Sequence, residues 1–333
     1  MLGKIDKSEI SRECYEVGAL LYSPANSGKI INQIKLQKIA PPYSVALCLE
    51  DAVADSAVEE AEQGIYDTLN QLAEIEEKSD VYIPKIFIRV RHGKQIMRIF
   101  RRAGENFRFV HGFILPKYSP SNADAYNSYI IEINTFSRKR RIYMMPILES
   151  KDIISLWRRA DALEDLRGHI DVMRRFVLNM RVGGNDFCRI YGLRRNIDNT
   201  IYDMGVINTC LMDILNVFSD AYVVSAPVWE YFDTKSGDNA WEKGLRRELK
   251  FDILNGFIGK TVIHPSQVPV VNEMLKVTKQ DYEDACSVAN WNNTDFGVGK
   301  TADGNRMNEV KCHQKWAKKI LTLADIYGIR DDV

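Results

Sequence analysis

Glu149 and Asp186 are the two residues whose types and surroundings could do chemistry together. The segment FVLNMRVGGND (residues 176–186) runs apolar, breaks at Gly183 and Gly184, and closes on Asp186; RIYMMPILES (141–150) runs apolar and closes on Glu149. Two carboxylates at neighbouring strand ends would hold a hard cation. Oxygen ligands without histidine or thiolate point to Mg²⁺, or Mn²⁺, over zinc. Two protein ligands leave coordination positions for water and for a chelating substrate. The paired glycines free the backbone of side chains, so a substrate could lie against Gly183 and Gly184. The competing reading is structural: Asp186 as a helix N-cap, or the glycines as a β-bulge.

Whether the two carboxylates meet depends on the elements that carry them. Eight β-rich runs recur, at 18–24, 44–51, 85–90, 109–117, 141–150, 176–186, 221–232 and 259–267. Most are continuous apolar runs, as expected of parallel strands covered on both faces. Polar, periodic segments such as 55–78, 203–220 and 238–257 lie between them and predict helices. The strand ends recur about every 35 residues, the size of a βα unit. This pattern predicts a (β/α)8 TIM barrel over 1–268, with a C-terminal helical extension over 269–333. A doubly wound open sheet is the rival, but no GxGxxG turn follows the first run.

In a barrel, chemistry gathers at the C-terminal ends of the strands. Those ends read Glu50 and Asp51, then Arg89 and Arg91, Lys117, Glu149, Asp186, and finally His264 and Gln267. A charged residue after almost every strand describes a polar site. Strands five and six are consecutive and adjacent strands lie about 4.8 Å apart, so Glu149 and Asp186 could share one ion. His264, before Pro265, reads either as a structural residue orienting a neighbour or as a participant.

Composition excludes several classes. The 333 residues carry 45 Lys plus Arg and 45 Asp plus Glu, so there is no electrostatic footprint for nucleic acid or an anionic membrane. Basic doublets such as Arg101-Arg102, and the run 137–141, read as solvated helix faces. No apolar run approaches the roughly 20 residues of a membrane span. The N-terminal stretch is polar and lacks the apolar core of a secretory signal. Six scattered cysteines without a CxxC pair read as reduced thiols, and with five histidines they make a zinc site improbable. The expected compartment is the cytoplasm.

The ordered set CLEDAV (48–53), IRV (88–90), ILPK (114–117), PILES (146–150), GGNDF (183–187) and GKTVIHPSQVPVVNE (259–273) resembles the citrate lyase β-subunit and malyl-CoA lyase family of the HpcH/HpaI aldolase superfamily. LLYSPAN (20–26) and GNRMNEVKCHQKWA (304–317) are similar to one branch, the C–C bond lyase-like proteins encoded near tellurite-resistance and stress genes. The resemblance spans roughly residues 18–330. It implies a barrel with a helical cap, assembled as a homotrimer or hexamer. It also implies Mg²⁺ on Glu149 and Asp186, and Arg89 on the enolate or keto-acid oxygens. Glu50 and Asp51 would hold the waters around the metal, and Lys117 would order the site or touch substrate.

The match has gaps. The arginine that commonly opens strand one is missing, with Ala19 near its place, and the lysine expected after LEDAV gives way to the acidic ADSAVEEAEQG (54–64). Both changes weaken the case for a CoA thioester. The cap aspartate of malyl-CoA lyases falls on Asn308 or Glu309; Glu309 could keep an acid/base role and Asn308 could not. The leading expectation is a Mg²⁺-dependent carbon–carbon lyase acting on a small keto or hydroxy acid through a metal-stabilised enolate, without free CoA. The alternatives are an acyl-CoA lyase or thioesterase of the malyl-CoA type, and a catalytically silent barrel that binds a partner.

Overall fold

The computed structural model describes residues 10–331 except 138–139, 234–237, 293–295, 302–303 and 305. Parts of the basic run 137–141 and of the cap motif, including Asp303 and Asn305, therefore lie outside the described residues. Eight parallel strands form the centre: β1 (Ala19–Pro24), β2 (Ser44–Cys48), β3 (Lys85–Arg89), β4 (Val110–Leu115), β5 (Tyr143–Leu148), β6 (Met180–Val182), β7 (Val224–Ser225) and β8 (Lys260–Val262). They are hydrogen-bonded in the order β7-β6-β5-β4-β3-β2-β1-β8. Ala226 closes the ring. It bridges in parallel to Lys260, its N–H donates to the Gly259 carbonyl at 3.1 Å, and its carbonyl accepts from Thr261 at 3.3 Å. The result is a (β/α)8 barrel.

The strands form here because both faces of each are covered. Every residue of β2 and β5 is buried. Leu20, Ala46, Phe87, Ile114, Met145 and Ile147 fill the interior, one side-chain layer against the next. Outside, the helix Val58–Lys78 turns Ala61, Ile65, Leu69, Leu72 and Ile75 inward and buries them. Their spacing of three and four residues makes one apolar stripe.

Two strands are shorter than their apolar runs predict. The run 176–186 pairs as a strand over Met180–Val182, and the chain is already helical from Gly184. Asp186 therefore sits in the first turn of a helix and not on a strand end. The run 221–232 pairs over Val224–Ser225. Beyond it, Trp229 is fully buried and donates from Nε1 to the Trp241 carbonyl at 3.1 Å. Gln267 Nε2 caps the Trp229 and Tyr231 carbonyls at 3.0 and 2.8 Å. Side chains thus satisfy this backbone where a strand partner would have done so.

The chain divides into two compact units, Met1–Val271 and Asn272–Val333. In the second, the helices Lys279–Ala289 and Val310–Tyr327 accompany an antiparallel pair, Val298–Lys300 with Met307–Glu309. Val277–Thr278 pairs in parallel with Ile329–Arg330. No helix among the described residues is long and apolar enough to cross a membrane.

Candidate active site at the barrel mouth

Leu148 of β5 pairs with Val182 of β6, so the residues that follow, Glu149 and Gly183, emerge side by side. A Cβ on Gly183 would fall 2.0 Å from Glu149 Oε2, and one on Gly184 would fall 2.5 Å from Ile201 Cδ1 and 2.8 Å from Pro227 Cβ. The glycine pair is what lets the chain turn from strand to helix against a buried carboxylate. Gly183 is the N-cap of the helix Gly184–Tyr191, and Asp186 lies in that helix's first turn. The N-terminal partial charge of a helix favours an anion there.

Glu149 is 6% exposed. Its Oε1 accepts from the Lys117 N–H at 2.9 Å and lies 3.6 Å from Arg89 Nη2. Burial pushes its carboxyl up to about 8; Arg89 pulls the other way, and the neighbouring, hydrogen-bonded Asp186 adds to the rise. Asp186 also pairs with the exposed Arg189 at 3.2 Å.

Arg89 ends β3 and is buried. Its Nη2 contacts Glu50 Oε2 at 2.7 Å and Asp51 Oδ2 at 2.9 Å, and the Tyr22 ring lies 5.8 Å from its guanidinium carbon. Burial alone would lower its pKa, but Tyr22, Glu149, Cys48 and Glu50 raise it above the ordinary arginine value. Burial would raise the carboxyl of Asp51, yet its hydrogen bond with Glu50 and the charges of Arg89 and Lys117 hold it down at about 2. Lys117 follows β4 in the left-handed region, at φ 50°, which costs a side-chain-bearing residue about 1–2 kcal/mol. Its N–H serves Glu149, and its ammonium pairs with Glu50 and lies 3.4 Å from Asp51. Strain held in place by such contacts is common at functional sites.

A cavity of about 330 Å³ opens here, lined by Tyr22, Cys48, Asp51, Arg89, Glu149, Arg181, Gly183, Gly184, Asp186 and Thr261, with Ile147, Val182, Val228 and Ile263 among its apolar walls. Other barrel residues expected at the site lie off this cavity. Glu50 and Lys117 stand behind Arg89 and Asp51. Arg91 is bound to the loop after β2, donating to the Leu49 and Val53 carbonyls at 2.6 Å each. His264 stacks on Phe232 with ring centroids 4.8 Å apart, and its Nδ1 lies 2.8 Å from Ser266 Oγ. In the second unit, Asn308 is buried and donates to Asp284 Oδ1 at 3.4 Å. Glu309 is half-buried at the N-terminus of the helix Val310–Tyr327, its N–H donating to His313 Nδ1 at 3.0 Å.

Tyr22, Arg181 and Thr261 were not expected at the site. Tyr22 stands two residues beyond the interior Leu20 on β1, so alternation alone aims it inward. Arg181 is the one charge in the run 176–182, a signal that it must be paired or line a cavity.

The donor set suits a divalent metal. Two adjacent carboxyls, one of them buried with its carboxyl pushed up by that burial, would gain most from a hard cation. Among the described residues no three His, Cys, Asp or Glu side chains converge on one point, so water and substrate would fill the remaining positions.

Fold and site together define a TIM-barrel enzyme with an acidic, arginine-backed cavity at the C-terminal ends of its strands. The profile of the C–C bond lyases of the TIM-barrel fold matches residues 11–329, and the chain belongs to that family of carbon–carbon lyases. Among solved structures, the chain is similar to a citrate lyase from Burkholderia xenovorans LB400, with a TM-score of 0.69, 14% identity, and 95% of this chain and 94% of that one covered. It is also similar to the CitE protein of Mycobacterium tuberculosis solved with magnesium, acetoacetate and coenzyme A, with a TM-score of 0.59, 19% identity, and coverage of 92% and 98%. A structure of CitE with magnesium and pyruvate gives a TM-score of 0.51, 19% identity, and coverage of 79% and 92%. At these identities the likeness is one of fold. No curated protein matches the sequence.

Proposed function

We propose that this lyase is Mg²⁺-dependent and breaks or forms a carbon–carbon bond next to the carbonyl of a small keto or hydroxy acid. The observation that carries the reading is the juxtaposition of Glu149 and Asp186 across Gly183, with Arg89 Nη2 3.6 Å from Glu149. Glu149 and Asp186 would hold the ion, which when bound polarises a chelating carbonyl as a Lewis acid. Arg89 supplies a fixed guanidinium for the oxygen on which enolate charge develops. Glu50, Asp51 and Lys117 keep that guanidinium in place. The N-terminus of the helix Gly184–Tyr191 opens on the same cavity and offers N–H groups to a substrate carboxylate. The CitE structures with magnesium and pyruvate, or with magnesium, acetoacetate and coenzyme A, support this choice of metal and acid.

Glu309 is the cap residue that can carry a proton, since Asn308 is not titratable and is committed to Asp284. Coenzyme A is not required in this reading. Acidic residues follow β2 where the family resemblance leads one to expect a lysine, and Asp55 among them is exposed. A homotrimer or hexamer is the expected assembly.

The test is a thermal-shift titration of wild type and Asp186→Asn with Mg²⁺, alone and with pyruvate, oxaloacetate or acetyl-CoA. A keto acid that raises Tm only with Mg²⁺ and only in wild type supports the site. An unchanged Tm in every combination, or turnover retained by Asp186→Asn, rejects it.

A further inference from the structure

Tyr22 and Arg181 form a floor to the cavity, one side-chain layer beneath Arg89 and Glu149. Tyr22 pairs with Ala46, two residues before Cys48, and Cys48 pairs with Arg89. Arg181 pairs with Ile147, two residues before Glu149. Two residues along a strand span about 6.6 Å, and Tyr22 and Arg181 both line the cavity from that lower level. Tyr22 packs on the interior cluster around Leu20, Ala46 and Ile147 and is half-buried. Its ring lies 5.8 Å from the Arg89 guanidinium carbon.

Arg181 differs from the other buried arginines. Arg89, Arg159 and Arg195 each lie within 3.6 Å of a carboxylate. Arg181, 1% exposed, has no carboxylate partner among the described residues. Its Nη2 donates to Thr261 Oγ1 at 2.6 Å and its Nη1 reaches Asn179 Oδ1 at 3.4 Å, while its Nε is buried without a hydrogen-bond partner. Burial pushes its pKa down, and Tyr22 acts against that. A buried cation of this kind is costly unless negative charge appears beside it. Tyr22 can supply that charge by giving up its proton. Burial holds the phenol protonated at rest, whereas Arg89 and Arg181 both favour its anion.

Elimination among the other ionisable groups that line the cavity gives the same answer. Asp51 is paired with Arg89 and Lys117, and Glu149 and Asp186 are assigned to the ion. The arginines cannot release a proton, and Cys48 is fully buried. We propose that the Tyr22 hydroxyl is the proton donor that quenches the enolate at carbon, and that Arg181 positions it and holds the phenolate left behind. When a hydroxy acid is cleaved, its hydroxyl proton leaves to solvent and the electron pair of the broken C–C bond becomes the enolate. That pair takes the Tyr22 proton to form a C–H bond, and the phenolate regains a proton from solvent. In the direction of synthesis the phenolate removes a proton from the same carbon. This inference rests on the metal-site reading above.

Exchange of the pyruvate methyl protons for deuterium in heavy water reads this step alone, followed by proton NMR with the Mg²⁺-loaded protein. Wild type is expected to catalyse the exchange. Tyr22→Phe, which removes only the hydroxyl of a half-buried ring, is expected to slow it at least about hundredfold, as the loss of a general acid does. Pyruvate affinity by calorimetry and the Mg²⁺-dependent rise in Tm should stay at wild-type values. Arg181→Gln should slow exchange about tenfold or more, and Arg181→Lys should regain part of it. Added to Tyr22→Phe, Arg181→Gln should slow exchange no further, since it acts through the phenol. Exchange kept by Tyr22→Phe overturns the assignment, as does an equal fall in exchange and in pyruvate affinity. Wild type that binds Mg²⁺ and pyruvate without exchanging protons also overturns it and leaves the metal site standing. Wild type that binds neither overturns both readings. Full additivity of the two substitutions removes Arg181 from its positioning role. Should Arg181→Gln not fold, Arg181→Lys takes its place in the comparison.

Discussion

Gly183 stands so close to Glu149 that one added carbon would lie 2.0 Å from Oε2 and 2.5 Å from Cβ. The second distance is the decisive one. A carboxylate tip can swing aside, but Glu149 Cβ is held by a backbone paired to β6 through Leu148 and Val182. Gly183→Ala should therefore destabilise the fold by about 1–3 kcal/mol through overpacking. By turning Glu149 out of position it should also weaken Mg²⁺ binding by roughly tenfold or more. Chemical unfolding and Mg²⁺ titration of the variant read the two effects separately. Wild-type metal affinity in this variant would show that Glu149 is no ligand.

The raised carboxyl of Glu149, if it is a metal ligand, makes metal binding and pH interdependent. The Glu149 carboxyl lies at about 8 against an ordinary value of 4.5, through burial and through Asp186. Between those values the folded chain holds a proton that the unfolded chain has released. Stability of the metal-free protein therefore falls as pH rises through this window. Mg²⁺ must displace the proton, so its affinity should rise with pH and level off above about 8. Melting curves from about pH 5 to 9 with and without Mg²⁺ should diverge as pH rises, and Glu149→Gln should flatten the metal-free curve. Parallel curves would mean that no proton leaves on binding.

His111 provides an acid limit away from the site. It lies on β4, with its ring edge-on to the interior Phe87 at 6.0 Å between centroids. Burial and the nearby Lys85 push its pKa from 6.5 down to about 4, against the opposing pull of Glu13. Here the unfolded chain takes up the proton first, so stability is complete above pH 6.5 and is lost as pH falls toward 4. The ring is a third exposed, which keeps the effect modest. His111→Gln should lose less stability than wild type across that interval in equilibrium unfolding; equal slopes would put the acid sensitivity elsewhere.

Much of the architecture is legible in the sequence because a parallel barrel strand is apolar on both faces, and the eight runs advertise that. What they advertise is burial, however, and not pairing. Val228 and Trp229 continue the seventh run, yet side chains such as Gln267 satisfy the backbone around them in place of a strand. For the same reason Asp186 looks like a strand end but lies in a helix, since the glycines before it mark the transition without fixing its position. Glu149, Arg89 and Asp51 are visible as charges that end apolar runs. Arg181 and Tyr22 are hidden inside such runs, where only alternation along the strand distinguishes the interior from the helix-covered face.

Alternation on β8 separates the two faces residue by residue. Thr261 turns inward to Arg181, whereas Lys260 turns outward and is fully buried beneath the helix Ala240–Asn255. Its ammonium donates to Glu248 Oε1 at 2.9 Å and Asp252 Oδ2 at 2.7 Å. Those carboxylates also accept from the Ile201 N–H at 2.8 Å and the Tyr202 hydroxyl at 2.6 Å. Burial raises Asp252 to about 6 even though Lys260 pulls it down, and Glu248 adds to the rise. Removing the shared cation would leave two carboxylates facing each other in the dry interface that holds β8 in the ring. Lys260→Met should cost about 3–5 kcal/mol in equilibrium unfolding, the usual consequence of stranding buried charge. Adding Asp252→Asn to it should recover much of that loss, because the neutral amide can still accept from Tyr202 while Glu248 keeps the buried Arg195 at 3.6 Å as its counter-charge. If the double variant is no more stable than Lys260→Met, the loss comes from packing of the lysine stem and not from uncompensated charge.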